Sequence, residues 1–300
     1  MKNLWLLALL LPALCVPAHA SIYVVTTDTN LADIARHVGG SRVQVESLSR
    51  GVDDPHQVEP RPSMVVKMSR AQLFVRNGMD LDMWADGILD KSSNAQVMRG
   101  APGYVDCSQG ITKLEVPSGK LNPSMGDIHV YGNPHYLMDP ASGIIAAQEI
   151  TLGLMRVDPA GKDYYKSQYD LFAHQLVDHI RMWQTWLAPY RGAKIVIYHE
   201  DWAYFFHRFD LVGFGTMEPK PGMPPSPGHV DDLIRQMKDA HVKVMLLENF
   251  RSHRYPDRIT AETGATAVYV PLAVEGSPEA TNYFMLFDTI ITRLVKALHG

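Results

Sequence analysis

Apolar positions along this chain switch repeatedly between two kinds of spacing. Ile22 to Val25 is a continuous β-branched and aromatic run, the mark of a buried strand. Leu31, Ile34, Ala35 and Val38 then recur at helical spacing, with Thr29 or Asn30 as the expected cap and Gly39-Gly40 as the stop. The pattern continues with a strand over Val43 to Leu48 and a short helix from Ser63, read as its cap, through Met68. A strand over Ala71 to Val75 ends at Asn77-Gly78, a helix containing Met83, Trp84, Ile88 and Leu89 follows, and another strand is expected near Tyr104 to Cys107. Strands separated by helical segments predict parallel β-α-β units.

Residues 108–134 are rich in Gly, Ser, Pro and Asn and read as an irregular surface loop. Pro140 opens a helix to about Leu154. Pro159 opens a longer one, free of Gly beyond its first turn and of Pro until Pro189. A helix of about 29 residues would span roughly 44 Å, more than the width of a small lobe, so it is expected to bridge two of them. The β-α pattern then restarts, with strands at Lys194 to Tyr198, Leu211 to Phe214, Val242 to Leu247 and Thr266 to Val270. Helices are expected at Trp202 to Phe209, His229 to Ala240 and Tyr255 to Thr263, with a last one burying Phe284, Phe287, Ile291 and Leu294. The expected fold is α/β: two lobes, each a parallel-sheet α/β sandwich, joined by one long backbone helix. The boundaries read as 21–157 for the N-terminal lobe, 158–190 for the linking helix and 191–300 for the C-terminal lobe, with no sequence repeat between the lobes.

Residues 1–20 fall outside this pattern. Lys2 precedes an apolar run from Leu4 to Leu11, broken by Pro12 and Pro17, and Ala18-His19-Ala20 has the small-x-small form of a signal peptidase site. The expectation is a leader cleaved after Ala20 and an exported, periplasmic protein. The run is too short to span a bilayer, and no later segment is apolar enough to do so. A lipid anchor at Cys15 is disfavoured by Leu14, where a small residue would be needed. Cleavage leaves Cys107 without an intramolecular partner, so no disulfide is expected. Composition excludes other classes: 46% hydrophobic and 20% charged is too apolar for disorder, and a net charge of −4 lacks the basic excess of nucleic-acid binders.

The 13 histidines of the chain are more than its length leads one to expect, and placement sorts them. In parallel α/β sheets ligands bind beyond the carboxyl ends of the strands. His56 lies there, after the second strand, in Asp53-Asp54-Pro55-His56; His135 lies in Gly132-Asn133-Pro134-His135, before the helix at Pro140; and His199 directly follows a strand. Singly, a loop histidine is most often a surface residue. Two Pro-His pairs change that, because proline fixes its own φ and stiffens the loop that carries the imidazole. Stiffly presented neutral imidazoles suit a borderline-soft divalent metal, with zinc the first candidate. His129, six residues before His135, reads as a loop residue or a weaker, transient metal-capture ligand, and the rest have ordinary helix-surface roles.

These residues also carry a resemblance. Asp54-Pro55-His56 followed by Glu59-Pro60-Arg61-Pro62-Ser63, then Asn133-Pro134-His135 ahead of Asp139-Pro140, then a strand ending in His199 before Asp201-Trp202-Ala203-Tyr204-Phe205, is similar to the zinc/manganese solute-binding proteins of ABC uptake transporters. The resemblance runs in order through essentially all of the chain after residue 20. It implies two lobes on a rigid helix with the metal between them, His56 and His135 as N-lobe ligands and His199 as a C-lobe ligand. Manganese members tend to have Glu where His199 stands, so zinc is implied over manganese. Many members place an aspartate after the last C-lobe strand, but Val270-Pro271-Leu272-Ala273-Val274-Glu275-Gly276 has none. Glu248 resembles a family glutamate near the site and is expected to ligate or, preferably, to hydrogen-bond a ligand; Glu275 is a weaker candidate, and water could complete the site. The long His/Asp-rich loop of some zinc members is absent, since 108–134 contains only His129.

The expected function is capture of a divalent ion, zinc before manganese, by a monomer that delivers it to the permease and ATPase of an importer, without catalysis. An exported zinc hydrolase is the rival, because three protein ligands plus water is also a catalytic arrangement, with Glu248 or Glu200 as base. No His-Glu-x-x-His helix supports it. A binder of an organic or chelated ligand is the third reading.

Overall fold

The computed structural model describes residues 21–118, 126 and 129–300. The expected leader, its cleavage point and Cys15 lie outside the described residues. Strands β1 (Ile22–Thr26), β2 (Val43–Ser47), β3 (Leu73–Arg76) and β4 (Tyr104–Asp106) form one parallel sheet in the order β2-β1-β3-β4. Strands β5 (Lys194–Ile197), β6 (Val212–Thr216), β7 (Val244–Glu248) and β8 (Thr266–Val270) form a second, β6-β5-β7-β8. The connectivity is the same in both, although no sequence repeat announces it. Each sheet reverses direction at its first strand, which opens a crevice at the carboxyl ends.

Helices α1 (Thr29–Gly39), α2 (Pro62–Arg70), α3 (Asp86–Ser92) and α4 (Pro140–Val157) flank the first sheet. Helices α6 (Ala203–Phe209), α7 (Pro227–Asp239), α8 (Arg254–Thr263) and α9 (Tyr283–His299) flank the second. Two caps differ from expectation. The α1 cap is Asp28, whose carboxylate accepts from Leu31 N, so Thr29 already lies inside the helix. Helix α2 starts at Pro62 without a side-chain cap, because proline at the first position has no N–H to satisfy. The linking helix α5 (Lys162–Leu187) is 26 residues, about 39 Å. Pro159 and Pro189 fall in single tight turns on either side of it.

The apolar residues divide into three clusters rather than one per lobe. In β1, Val24 faces inward and Val25 outward; in β5, Ile195 faces inward and Val196 outward. Burial on both faces explains why these strands read as unbroken apolar runs. The inward faces of both sheets share one central cluster with Phe172, Leu176 and Trp183 of α5 and with Phe287 and Ile290 of α9. An outer cluster lies behind each sheet, around Phe74 and Met64 in one lobe and Met245 and Leu233 in the other. Cys107 is buried and unpaired in a disulfide, and burial pushes its thiol well above the usual range.

Hydrogen bonds close the seam between the lobes. Asn30 accepts from Val274 N at 2.8 Å and donates to Leu272 O at 3.4 Å, while Thr29 donates to Val274 O at 2.6 Å. Asp33 accepts from Tyr283 N at 2.8 Å, and the Tyr283 hydroxyl donates to Leu137 O at 2.6 Å. Arg208 forks onto Asp139, the α4 cap, at 2.7 Å through both nitrogens. The loop carrying Glu275 therefore serves as a clasp on the start of α1. Gly51 is required there: a Cβ would stand 2.1 Å from the Val274 carbonyl oxygen.

Candidate metal centre

Three loops at the carboxyl ends of the strands converge on one point between the lobes. The two Pro-His loops are built alike. Asp54 accepts from His56 N at 3.0 Å and Asn133 accepts from His135 N at 2.9 Å, so each histidine follows an Asx turn with proline at its centre. His199 lies two residues beyond the carboxyl end of β5, and its Nδ1 meets Glu218 Oε2 at 2.7 Å, which leaves Nε2 as the remaining ring nitrogen. Glu218 also accepts from Gly222 N at 2.8 Å and so holds the proline-rich loop beside the histidine.

His56, His135, His199 and Asp201 offer one donor atom each, all within 4.8 Å of one another. His56 Nε2 and His135 Nε2 are 3.1 Å apart, and His135 Nε2 is 3.1 Å from Asp201 Oδ1. Donors around tetrahedral zinc at about 2.0–2.1 Å stand roughly 3.3 Å from each other, so these separations are close to the edge of such a tetrahedron. Asp201 is fully buried, and neither carboxylate oxygen has a hydrogen-bond partner. An unsatisfied buried carboxylate is costly, and a cation at the centre of the four donors would satisfy it.

The electrostatics set a different protonation preference for each donor. Burial pushes His135 well below its ordinary value, keeping it a neutral donor. Burial opposes charge on His199 as well, but Asp201 and the Glu218 hydrogen bond outweigh it and raise it to about 9. Burial also disfavours the Asp201 anion, yet His135, His199 and Arg251 hold its carboxyl well below the usual carboxylate range. Two openings adjoin the cluster, of about 350 Å³ past His129, Glu115 and Glu200 and about 360 Å³ past Asp54, Gln57 and Arg251. Pro221 borders both.

The remaining candidates lie around this cluster. Glu248 is fully buried, accepts from Trp202 Nε1 at 2.6 Å and pairs with Arg251 at 3.3 Å. Burial and the neighbouring Asp201 charge push it up to about 8. The half-buried His129 ring sits 5.2 Å from that of His56 and 6.4 Å from that of His135, at the rim. Glu275 is exposed and outside the donor set. Sequence reasoning passed over Asp201, Glu218 and Arg251. Arg251 joins the lobes by bonding Asp54 at 2.9 Å and approaching Asp201 at 3.8 Å.

Comparison with known proteins agrees with this picture. Residues 24–297 match the family model described as zinc-uptake complex component A, periplasmic. Similar curated proteins include the iron-binding protein YfeA of Yersinia pestis, 28% identical over 91% of this chain and 85% of that protein. The manganese ABC transporter substrate-binding lipoprotein PsaA of Streptococcus pneumoniae is 22% identical over 92% and 88%. A crystal structure of ZnuA superimposes with a TM-score of 0.78 at 22% identity, covering 92% of this chain and 99% of that one. The two-lobe fold with its long helix is thus shared, and the family consists of solute-binding proteins rather than hydrolases. With a single match spanning nearly all of the described residues, the chain belongs to the periplasmic zinc-uptake component A family, the metal-binding component of ABC importers.

Proposed function

We propose that this protein captures zinc in the periplasm, after cleavage of residues 1–20, through His56, His135, His199 and Asp201, and delivers it to an importer's permease. Within this reading residues 21–157 and 191–300 are the two lobes and 158–190 the link. The observation that carries it is the buried Asp201 carboxylate, unsatisfied and surrounded by three imidazoles. Three nitrogens and one oxygen form a set that suits zinc, whereas manganese favours oxygen-rich, higher coordination. Asp201 thereby replaces the aspartate missing after β8, and Glu248 supports it from beside the site instead of ligating.

The experiment is a metal titration of chelator-stripped protein, wild type against His199→Ala and Asp201→Asn. One zinc per chain is expected, weakened at least about 100-fold in each variant, a loss beyond that of disturbing a ligand's supporting partner. Manganese is expected to displace zinc only at large excess. Equal affinity for the two would overturn the zinc assignment and keep the site; unchanged binding in both variants would remove the site.

A further inference from the structure

Both Pro-His loops are gripped from the same short segment of the N-terminal lobe. Trp84 Nε1 donates to the Pro55 carbonyl at 3.1 Å, and Asn77 Nδ2 donates to the Pro134 carbonyl at 3.1 Å. Each carbonyl belongs to the peptide plane that leads directly into the histidine. A planar peptide with a fixed proline φ leaves the following residue little freedom except its own rotamer. Two donors seven residues apart therefore fix where both imidazoles start.

The segment between them is itself locked. Gly78, Met79 and Asp80 take φ of 81°, 50° and 67°, and a left-handed run that includes two residues other than glycine stores strain. Asp82, 2% exposed, holds the run closed by accepting from Asn77 N at 2.6 Å and from Arg76 at 2.7 Å. Tyr136, directly after His135, returns a bond from its hydroxyl to Asn77 O at 2.7 Å. A strained turn persists where its surroundings over-determine it, and such turns collect at functional sites.

We infer that residues 77–84 are a bracket that sets the bite between His56 and His135, with Asn77 and Trp84 as positioning residues for metal binding. This rests on the metal-site reading above. All of its parts lie in the N-terminal lobe, so the bracket gives that lobe a preformed two-nitrogen half-site. His199 and Asp201 complete it from the other lobe. The half-site exists before the metal arrives, and its spacing decides how well a small tetrahedral ion is held.

The test uses Trp84→Phe, which removes the N–H and keeps an aromatic ring, and Asn77→Ala. Each stripped protein is loaded with cobalt(II), whose ligand-field spectrum reports donor geometry, and zinc dissociation is timed against a fluorescent chelator. The expected result is a changed cobalt spectrum and zinc release faster by about tenfold, the scale found when a ligand's supporting partner is lost. The metal-free melting temperature of Trp84→Phe should match wild type. If Asn77→Ala fails to fold, Trp84→Phe alone decides. A wild-type spectrum and release rate in folded Trp84→Phe would overturn the proposal, as would lost thermal stability with an unaltered spectrum. Wild-type protein that takes up no cobalt would instead overturn the metal reading itself.

Discussion

Zinc binding to this protein should expel a proton, and the structure says from where. In the metal-free state Asp201 and Glu218 raise His199 to about 9, so its imidazole is charged at neutral pH. A metal needs the neutral ring, hence each ion bound at pH 7 displaces about one proton from His199. Apparent affinity should then climb about 50-fold between pH 7 and pH 9, against a factor of about 1.3 for an imidazole at its ordinary 6.5. Stability of the metal-free protein should run the other way. A histidine raised in the folded state contributes fully below about 6.5, and that contribution, at most about 3 kcal/mol, fades as pH rises through about 9. The assay is chelator competition at four pH values, corrected for the chelator's own protonation, with calorimetry in buffers of different ionisation enthalpy. Glu218→Gln should flatten the pH dependence while leaving one zinc per chain. A zinc affinity constant within twofold from pH 7 to 9, with no proton released, would refute the reasoning.

Other outcomes follow from the same geometry. Glu248→Gln should keep one zinc per chain with affinity within about threefold, since the carboxyl, raised to about 8, supports the site as a largely neutral group; loss of binding would make Glu248 a ligand. Gly51→Ala forces a methyl against the Val274 carbonyl and should destabilise by about 1–3 kcal/mol in urea unfolding. Tyr283→Phe strands the Leu137 carbonyl in a buried position and should cost about 1–2 kcal/mol by the same assay with an unchanged denaturant slope. Solution scattering of metal-free and zinc-loaded protein should superimpose, because the shared core and the seam oppose hinge closure; a large contraction on loading would contradict this.

Much of the fold could be read in the sequence because parallel strands buried on both faces leave unbroken apolar runs, as in Ile195 to Tyr198. That His56, His135 and His199 come together is legible for a similar reason: strand ends and Pro-His pairs are local features. Asp201 is not, although it stands two residues from His199. An acid at the head of a helix most often caps it, and only the tertiary packing shows this one buried among imidazoles without a hydrogen-bond partner. Glu218 and Arg251 act across 19 and 197 residues of chain, separations that no local pattern records. The α1 cap was misplaced by one or two positions because Asp28, Thr29 and Asn30 are all good capping types. Nor could spacing show that the two lobes share a core, because periodicity reports which side of an element is apolar and not what covers it.

That shared core bears on how the chain reaches its native state. Its members run from Ile22 at one end to Leu294 at the other, with α1 and α4 covering the first sheet and α9 lying on β7 and β8 of the second and against α5. Until α9 is available, the inward side of β7 and β8 lacks part of its cover. Contacts of such long sequence separation form slowly, after their loop-closure entropy has been met. A chain emerging from its N-terminus would therefore stay incompletely packed until α9 is reached. The C-terminal lobe would then complete its core only when α9 docks on β7, β8 and α5.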